Sequence, residues 1–178
     1  MLRWILIGLA AVVAGFLVVV ALQPSEFHVE RTAKVAAPAP EVFEQVNDFH
    51  KWEAWSPWAK LDPDAKMTFE GPPSGTGTIM AWSGNEKVGE GKMTLTESRP
   101  NEFVKVKVEM VKPMEGSSTS EFAFKPDGDQ TSVTWSMSAH HNFLQKAMCL
   151  IMNGKKMMTE AMEEGLGNMS SALKTARS

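Results

Sequence analysis

The chain has 178 residues, 43% of them hydrophobic and 22% charged, with a formal net charge of −3. One core serves roughly 100–200 residues, so the length holds one ordinary domain plus an appendage, and the composition excludes a disordered chain. Basic residues stand singly among acidic ones, leaving no footprint for a phosphate backbone and setting nucleic acid aside as a partner, while the lone Cys149 excludes an internal disulfide.

From Trp4 to Leu22 the run WILIGLAAVVAGFLVVVAL carries no charge. At about 1.5 Å per residue it reaches across roughly 28 Å of hydrocarbon, the thickness of a bilayer core. Residues 1–23 therefore read as a transmembrane anchor and residues 24–178 as one domain. Arg3 and the amino terminus precede the run, whereas Gln23, Pro24, Ser25 and Glu26 follow it. The positive-inside rule then keeps the start in the cytoplasm and puts the domain on the non-cytoplasmic side of the inner membrane. A cleaved secretory signal is the other reading, with Val19 and Ala21 as small residues before a cut. The run is longer than the usual 7–15-residue apolar stretch of a signal, which favours the anchor.

Next, FHVERTAKVAAP alternates Phe27, Val29, Ala33 and Val35 with polar neighbours, as a half-buried strand does. In APAPEVFEQVNDFHKWEAW, Pro40 can open a helix whose apolar face holds Val42, Phe43, Val46 and Phe49, and a second short helix comes after it. From Met67 to His140 the turn clusters GPPSG, SGN, SRPN, KPMEG and KPDGDQ separate six further strands. The clearest carry Val104, Val106, Val108 and Met110 in one and Val133, Trp135, Met137 and Ala139 in another, each dry on one face and wet on the other. From about Asn142 the period changes: Phe143, Ala147, Ile151, Gly154, Met158, Ala161 and Gly165 fall at steps of four and three, which predicts one long amphipathic helix over the dry face.

The order strand, two helices, six strands, long helix is the helix-grip arrangement of an α+β fold. Three strings, VAAPAPEVFEQVNDFHKWEAWSPW, GTGTIMAWSGNEKVGEGKMTLTES and TSVTWSM, resemble the polyketide cyclase/dehydrase and lipid-transport (SRPBCC) branch of the START-like, Bet v 1-like superfamily. The resemblance spans Phe27 to the C-terminus. It implies a curved antiparallel sheet of about seven strands gripping the last helix, with a cavity between them that takes lipids or other small hydrophobic ligands in many members.

The residues expected to line such a cavity are Trp55, Trp58, Trp82, Met93, Val106, Val108, Trp135, Met137, Ile151, Gly154 and Met158. Ala147, Gly154 and Ala161, seven apart, are expected to leave volume beneath the last helix, with Met148, Met152, Met158 and Met162 as adaptable lining. Close approach of helix to sheet, with Met as filler, is the plainer account of the same pattern. Trp52, Trp55 and Trp58 stand where the family places the cavity mouth, and they also suit plain stapling of short helices to a sheet.

Catalysis by a cyclase or hydratase needs acid–base groups inside the cavity, and the inward strand positions are apolar. Only Glu97, Arg99 and His141 share that parity, all at strand ends, and no catalytic residue is assigned. His140 and His141 are adjacent on a strand and point to opposite faces, so neither a metal nor another cofactor is expected. The sequence reads as a binding module for a lipid or small hydrophobic ligand. The rival readings are an enzyme using Glu97, Arg99 or His141, and a filled-core domain that meets a protein partner.

Overall fold

A computed structural model describes residues 1–176. In chain order these form α1 (Leu2–Leu22), β1 (Glu26–Val35), α2 (Ala39–Asn47), a 3-10 helix (Phe49–Ala54), β2 (Lys66–Glu70), β3 (Ile79–Ser83), β4 (Glu90–Arg99), β5 (Phe103–Lys112), β6 (Gly116–Asp127), β7 (Gln130–His140), α3 (Phe143–Ile151) and α4 (Gly154–Ala176). The strands make one antiparallel sheet in the order β1-β7-β6-β5-β4-β3-β2. The first strand closes against the last, and the expected helix-grip order holds.

α2 begins where Pro38 and Pro40 fix φ for a first turn, and its face of Ala39, Val42, Phe43 and Val46 is buried on the sheet. The 3-10 helix then lays Phe49 and Trp52 into the same core. Buried indoles need a partner for their N–H. Trp52 Nε1 donates to the Val46 carbonyl at 3.0 Å and Trp55 Nε1 to the Gln45 carbonyl at 2.9 Å, which fixes both rings against the end of α2.

One expectation about the end of the chain is corrected. The segment after Asn142 is two helices, broken at Met152 and Asn153, where Asn153 takes a left-handed φ of 53°. Asn tolerates that conformation better than most residues. Gly154 comes next, where a Cβ would stand 2.8 Å from Cys149 Sγ and would require that thiol to shift. Gly154 thus starts α4 and does not interrupt a longer helix. The buried stripe of α4 is Met162, Gly165, Leu166, Met169 and Leu173, and α4 packs chiefly along β1.

α3 swings away from the sheet and rests beside α1. Its start is a reciprocal capping box: the Gln145 amide donates to Asn142 Oδ1, and the Asn142 amide donates to Gln145 Oε1, both at 2.9 Å. Gln145 Nε2 also donates to the Glu115 carbonyl at 3.0 Å, pinning α3 to the β5–β6 turn. Three residues, Gln23 to Ser25, separate α1 from β1.

Candidate functional site

The strand register sorts the inner face of the sheet into transverse rows. One row runs Phe27, Ala139, Ser118, Val108, Met93, Met80. The next runs Val29, Met137, Ser120, Val106, Leu95, and the third Arg31, Trp135, Phe122, Val104, Ser98. A fourth holds Ala33, Val133 and Phe124.

The third and fourth rows are filled at their centres, while Arg31, Ala33 and Ser98 at their ends are half-buried. Phe122 and Trp135 stack at 4.9 Å, Trp55 meets them edge-on at 6.2 and 5.8 Å, and Trp52 reaches Phe122 at 6.0 Å. Phe43 closes on Phe124 at 5.7 Å. α4 presses directly on this aromatic stack: a Cβ on Gly165 would lie 3.0 Å from Trp135 Cζ3 and 3.1 Å from Pro57 Cδ. The small residue at Gly165 therefore serves close approach.

Most of the first two rows is buried as well, Phe27, Met93 and Met80 in one and Val29, Ser120, Val106 and Leu95 in the other, and the difference is confined to four positions. Val108, Met137, Ala139 and Ser118 are only half-buried, and so are Met110 and Trp82 one step further along. From the helix side Met158 and Cys149 are half-buried, as is Trp58, which meets Trp135 edge-on at 6.0 Å. This half is the more open one, although its half-buried apolar side chains pack against the core. Trp82 lies flat over Gly91, whose missing Cβ makes room for the ring at 2.7 Å, and its Nε1 donates to the Val88 carbonyl at 3.1 Å. Two hydroxyls interrupt the apolar floor: Ser118, and Ser120, which lies 3.5 Å from Trp135 Nε1.

The expected lining residues divide accordingly. Trp58, Trp82, Val108, Met137 and Met158 are half-buried, while Met93, Val106, Trp55 and Trp135 are buried in the core. Ile151 is corrected. It sits at the end of α3 with 67% of its surface exposed, because the helix break turns it off the inward stripe. Gly154 lies at the turn against Cys149, outside the sheet–α4 contact. Ser118 and Ser120 were missed, although carrying the alternation of Phe122 and Phe124 back two and four residues reaches both.

Glu97, Arg99 and His141 do not converge. Between Leu95 and Glu97 the β4–β5 register slips, and the Thr96 hydroxyl donates to the Lys105 carbonyl at 3.1 Å. The bulge reverses the parity of the rest of β4, so Glu97 stands opposite Lys105 on the outer face, 3.2 Å from Arg99. Arg99 belongs to a row that crosses β7 at Thr134. That is seven residues before His141, a rise of about 23 Å. His141 stacks on Phe27 at 4.9 Å in a hollow of about 200 Å³ among the α1–β1 linker, β1, α3 and the start of α4, and burial, aided by neighbouring His140, pushes its pKa below the usual imidazole range.

The outer face of the sheet is wet and ion-paired. Lys105 meets Glu121 at 2.9 Å, Lys107 meets Glu109 at 2.9 Å, and Lys112 meets Glu90 at 2.9 Å. Hydrogen bonds from the lysines hold the Glu109 and Glu90 carboxyls below their ordinary pKa. Among the described residues no cluster of three or more His, Cys, Asp or Glu side chains is placed to hold a metal ion.

A family model described as polyketide cyclase / dehydrase and lipid transport matches residues 26–174. No curated protein matches the sequence. Among solved structures, protein MLL2253 from Mesorhizobium loti is 12% identical, with a TM-score of 0.63 over 84% of this chain and 98% of its own. The di-domain ARO/CYC StfQ from the steffimycin biosynthetic pathway is 12% identical with a TM-score of 0.60, covering 86% of this chain and 52% of that one. Ara h 8.0201 is 9% identical with a TM-score of 0.54, covering 84% and 99%. At these identities the likeness is one of fold, and that fold is the Bet v 1-like helix grip.

Proposed function

This chain belongs to the polyketide cyclase / dehydrase and lipid transport family, and from that membership and the open half of its grip we propose that it is a membrane-anchored module that holds a lipid or other small hydrophobic molecule. The observation that carries the reading is the contrast within one sheet face, filled by aromatics at Trp135 and Phe122 and only half-buried at Val108, Met137 and Ala139. An apolar floor exposed to water is costly, and a ligand that covers it regains roughly 25 cal/mol per Å² of apolar surface removed from water. The half-buried Ser118 hydroxyl supplies a polar point that can fix such a ligand's orientation. Among the described residues no buried side-chain polar atom lacks a partner, so affinity rests on apolar contact.

In this reading α1, long and apolar enough to cross a membrane, is a retained single span. Arg3 stays on the cytoplasmic side and residues 24–178 lie beyond the inner membrane. The site acts as a container and not as a catalyst, since the floor of its open rows bears hydroxyls and apolar groups where acid–base chemistry would need a proton donor or acceptor.

The test uses the full chain in nanodiscs of synthetic phosphatidylcholine containing a fatty acid with a mid-chain diazirine. After illumination, mass spectrometry is expected to find adducts on the peptides carrying Val108, Met137 or Trp82, and the Met137→Trp variant, which fills the open rows, is expected to lower that labelling about tenfold. Adducts confined to α1 would overturn the ligand-holding role. A chain recovered without α1, cut after Ala21, would instead overturn the anchor.

A further inference from the structure

α3 carries its polar residues inward and its apolar residues outward. At 100° per residue, Phe143, Leu144, Ala147, Met148, Leu150 and Ile151 occupy one arc of roughly 160°, and Gln145, Lys146 and Cys149 occupy the rest. The polar arc faces the protein: Gln145 donates to the Glu115 carbonyl, Lys146 to the carbonyls of α1 and its exit, and Cys149 lies against Gly154. The apolar arc faces out. Leu144 is 60% and Ile151 67% exposed, and none of the nine residues is buried. A soluble protein packs an amphipathic helix the other way round, and exposed apolar patches of this kind mark a contact surface.

Three observations say what covers it. The helix packs against α1, which is itself apolar and exposed along nearly its whole length. Lys146 Nζ bonds the carbonyls of Ala21 and Gln23, which places α3 beside the point where α1 ends. Lys155 and Lys156 come at once on α4, and Lys155 borders the same hollow as Gln23 and Pro24, so cations stand where phosphate headgroups would lie.

We propose that α3 is an in-plane interfacial helix, seated by its outward arc in the headgroup–acyl boundary of the bilayer that α1 spans. This rests on the anchored reading of α1. One consequence concerns the site. Phe27, five residues after Leu22, begins the row Ala139, Ser118, Val108, Met93, so the open rows are the end of the sheet nearest α1 and the filled rows are the far end. With α3 seated in the interface, the open end of the grip faces the lipid surface, and an apolar guest passes between bilayer and floor without crossing bulk water.

The experiment is nitroxide depth measurement on the full chain in vesicles of phosphatidylcholine and phosphatidylglycerol. Labels are placed at Leu144→Cys, Ile151→Cys, Val12→Cys in α1 and Lys125→Cys at the far end of β6, each in a Cys149→Ala background. Relative accessibility to oxygen and to a water-soluble nickel chelate is expected to put positions 144 and 151 about 5–10 Å below the headgroups, position 12 deep in hydrocarbon and position 125 in water. Water-like values at both 144 and 151 with position 12 deep would overturn the interfacial helix while leaving the anchor intact. A label at position 12 in water would remove the anchor itself. Strong spin–spin coupling between copies at 144 or 151, lost on dilution with unlabelled protein, would assign the arc to a second copy of the chain and also overturn the proposal.

Discussion

The Lys146 ammonium lies 3.1 Å from the Gln23 carbonyl oxygen and 3.4 Å from that of Ala21, so a cation on α3 caps the C-terminal end of α1. Unpaired carbonyls and the negative end of the helix dipole both favour a cation there.

Replacing it should loosen the two helices together. Hydrogen bonds to a charged donor contribute about 1.5–3 kcal/mol when shielded, and Lys146 is half-buried, so about 1 kcal/mol is expected from Lys146→Met. Amide hydrogen exchange across residues 143–151 should then quicken about fivefold, with β5 to β7 unchanged. Equal rates in variant and parent would show that this contact contributes nothing.

The two halves of the sheet face should respond differently to truncation. Trp135 is 1% exposed and touches Trp55, Trp58 and Phe122, so Trp135→Ala should cost about 3–5 kcal/mol of unfolding free energy. Trp82 is half-buried over Gly91 and should cost only about 1–2 kcal/mol, while changing how the open rows take up a hydrophobic dye. Denaturant titration followed by circular dichroism checks the first value and dye fluorescence the second.

At Gly165 the prediction concerns overpacking. Added carbon would meet Trp135 Cζ3 at 3.0 Å and Pro57 Cδ at 3.1 Å, both held by neighbours. Gly165→Val should therefore destabilise by about 1–3 kcal/mol despite removing a helical glycine. A stabilised variant in the same denaturant titration would mean that α4 stands off the sheet.

How much of the fold and site was legible in the sequence depends on the range of the interactions involved. β5 and β7 alternate so regularly that Val104, Val106, Val133 and Trp135 could be placed on the dry face from sequence, and all four are buried. The break at Asn153 hid inside a continuous four-and-three period, although the Asn–Gly pair at 153–154 is a turn dipeptide and was the local signal for it. Glu97 changed face because of a bulge at Thr96, a choice made between two strands and invisible to the alternation of one. Trp58 and Trp55 looked equivalent in KWEAWSPW, yet only Trp55 reaches a backbone carbonyl of α2 and is fully buried. That difference is set by how the segment after the 3-10 helix folds back.

The His141 contact predicts a pH dependence. Burial favours the neutral imidazole against Phe27, so the folded pKa lies below the unfolded 6.5. The folded state then binds fewer protons than the unfolded one as the pH falls, so this contact's stability is present above about 6.5 and is lost as the pH falls through the folded value. His141→Gln should flatten the stability profile below about pH 6.5 relative to the parent. An unchanged profile would show that the ring is wet.

β1 begins at Glu26, only three residues beyond the last turn of α1. Even fully stretched, such a leash is about 10 Å long, far short of any second membrane. With α1 retained as the proposed span, a domain on so short a leash would not ferry a guest across an aqueous gap. In that reading it would attend to molecules that drift laterally to its foot, or hand them to a neighbour that comes to it.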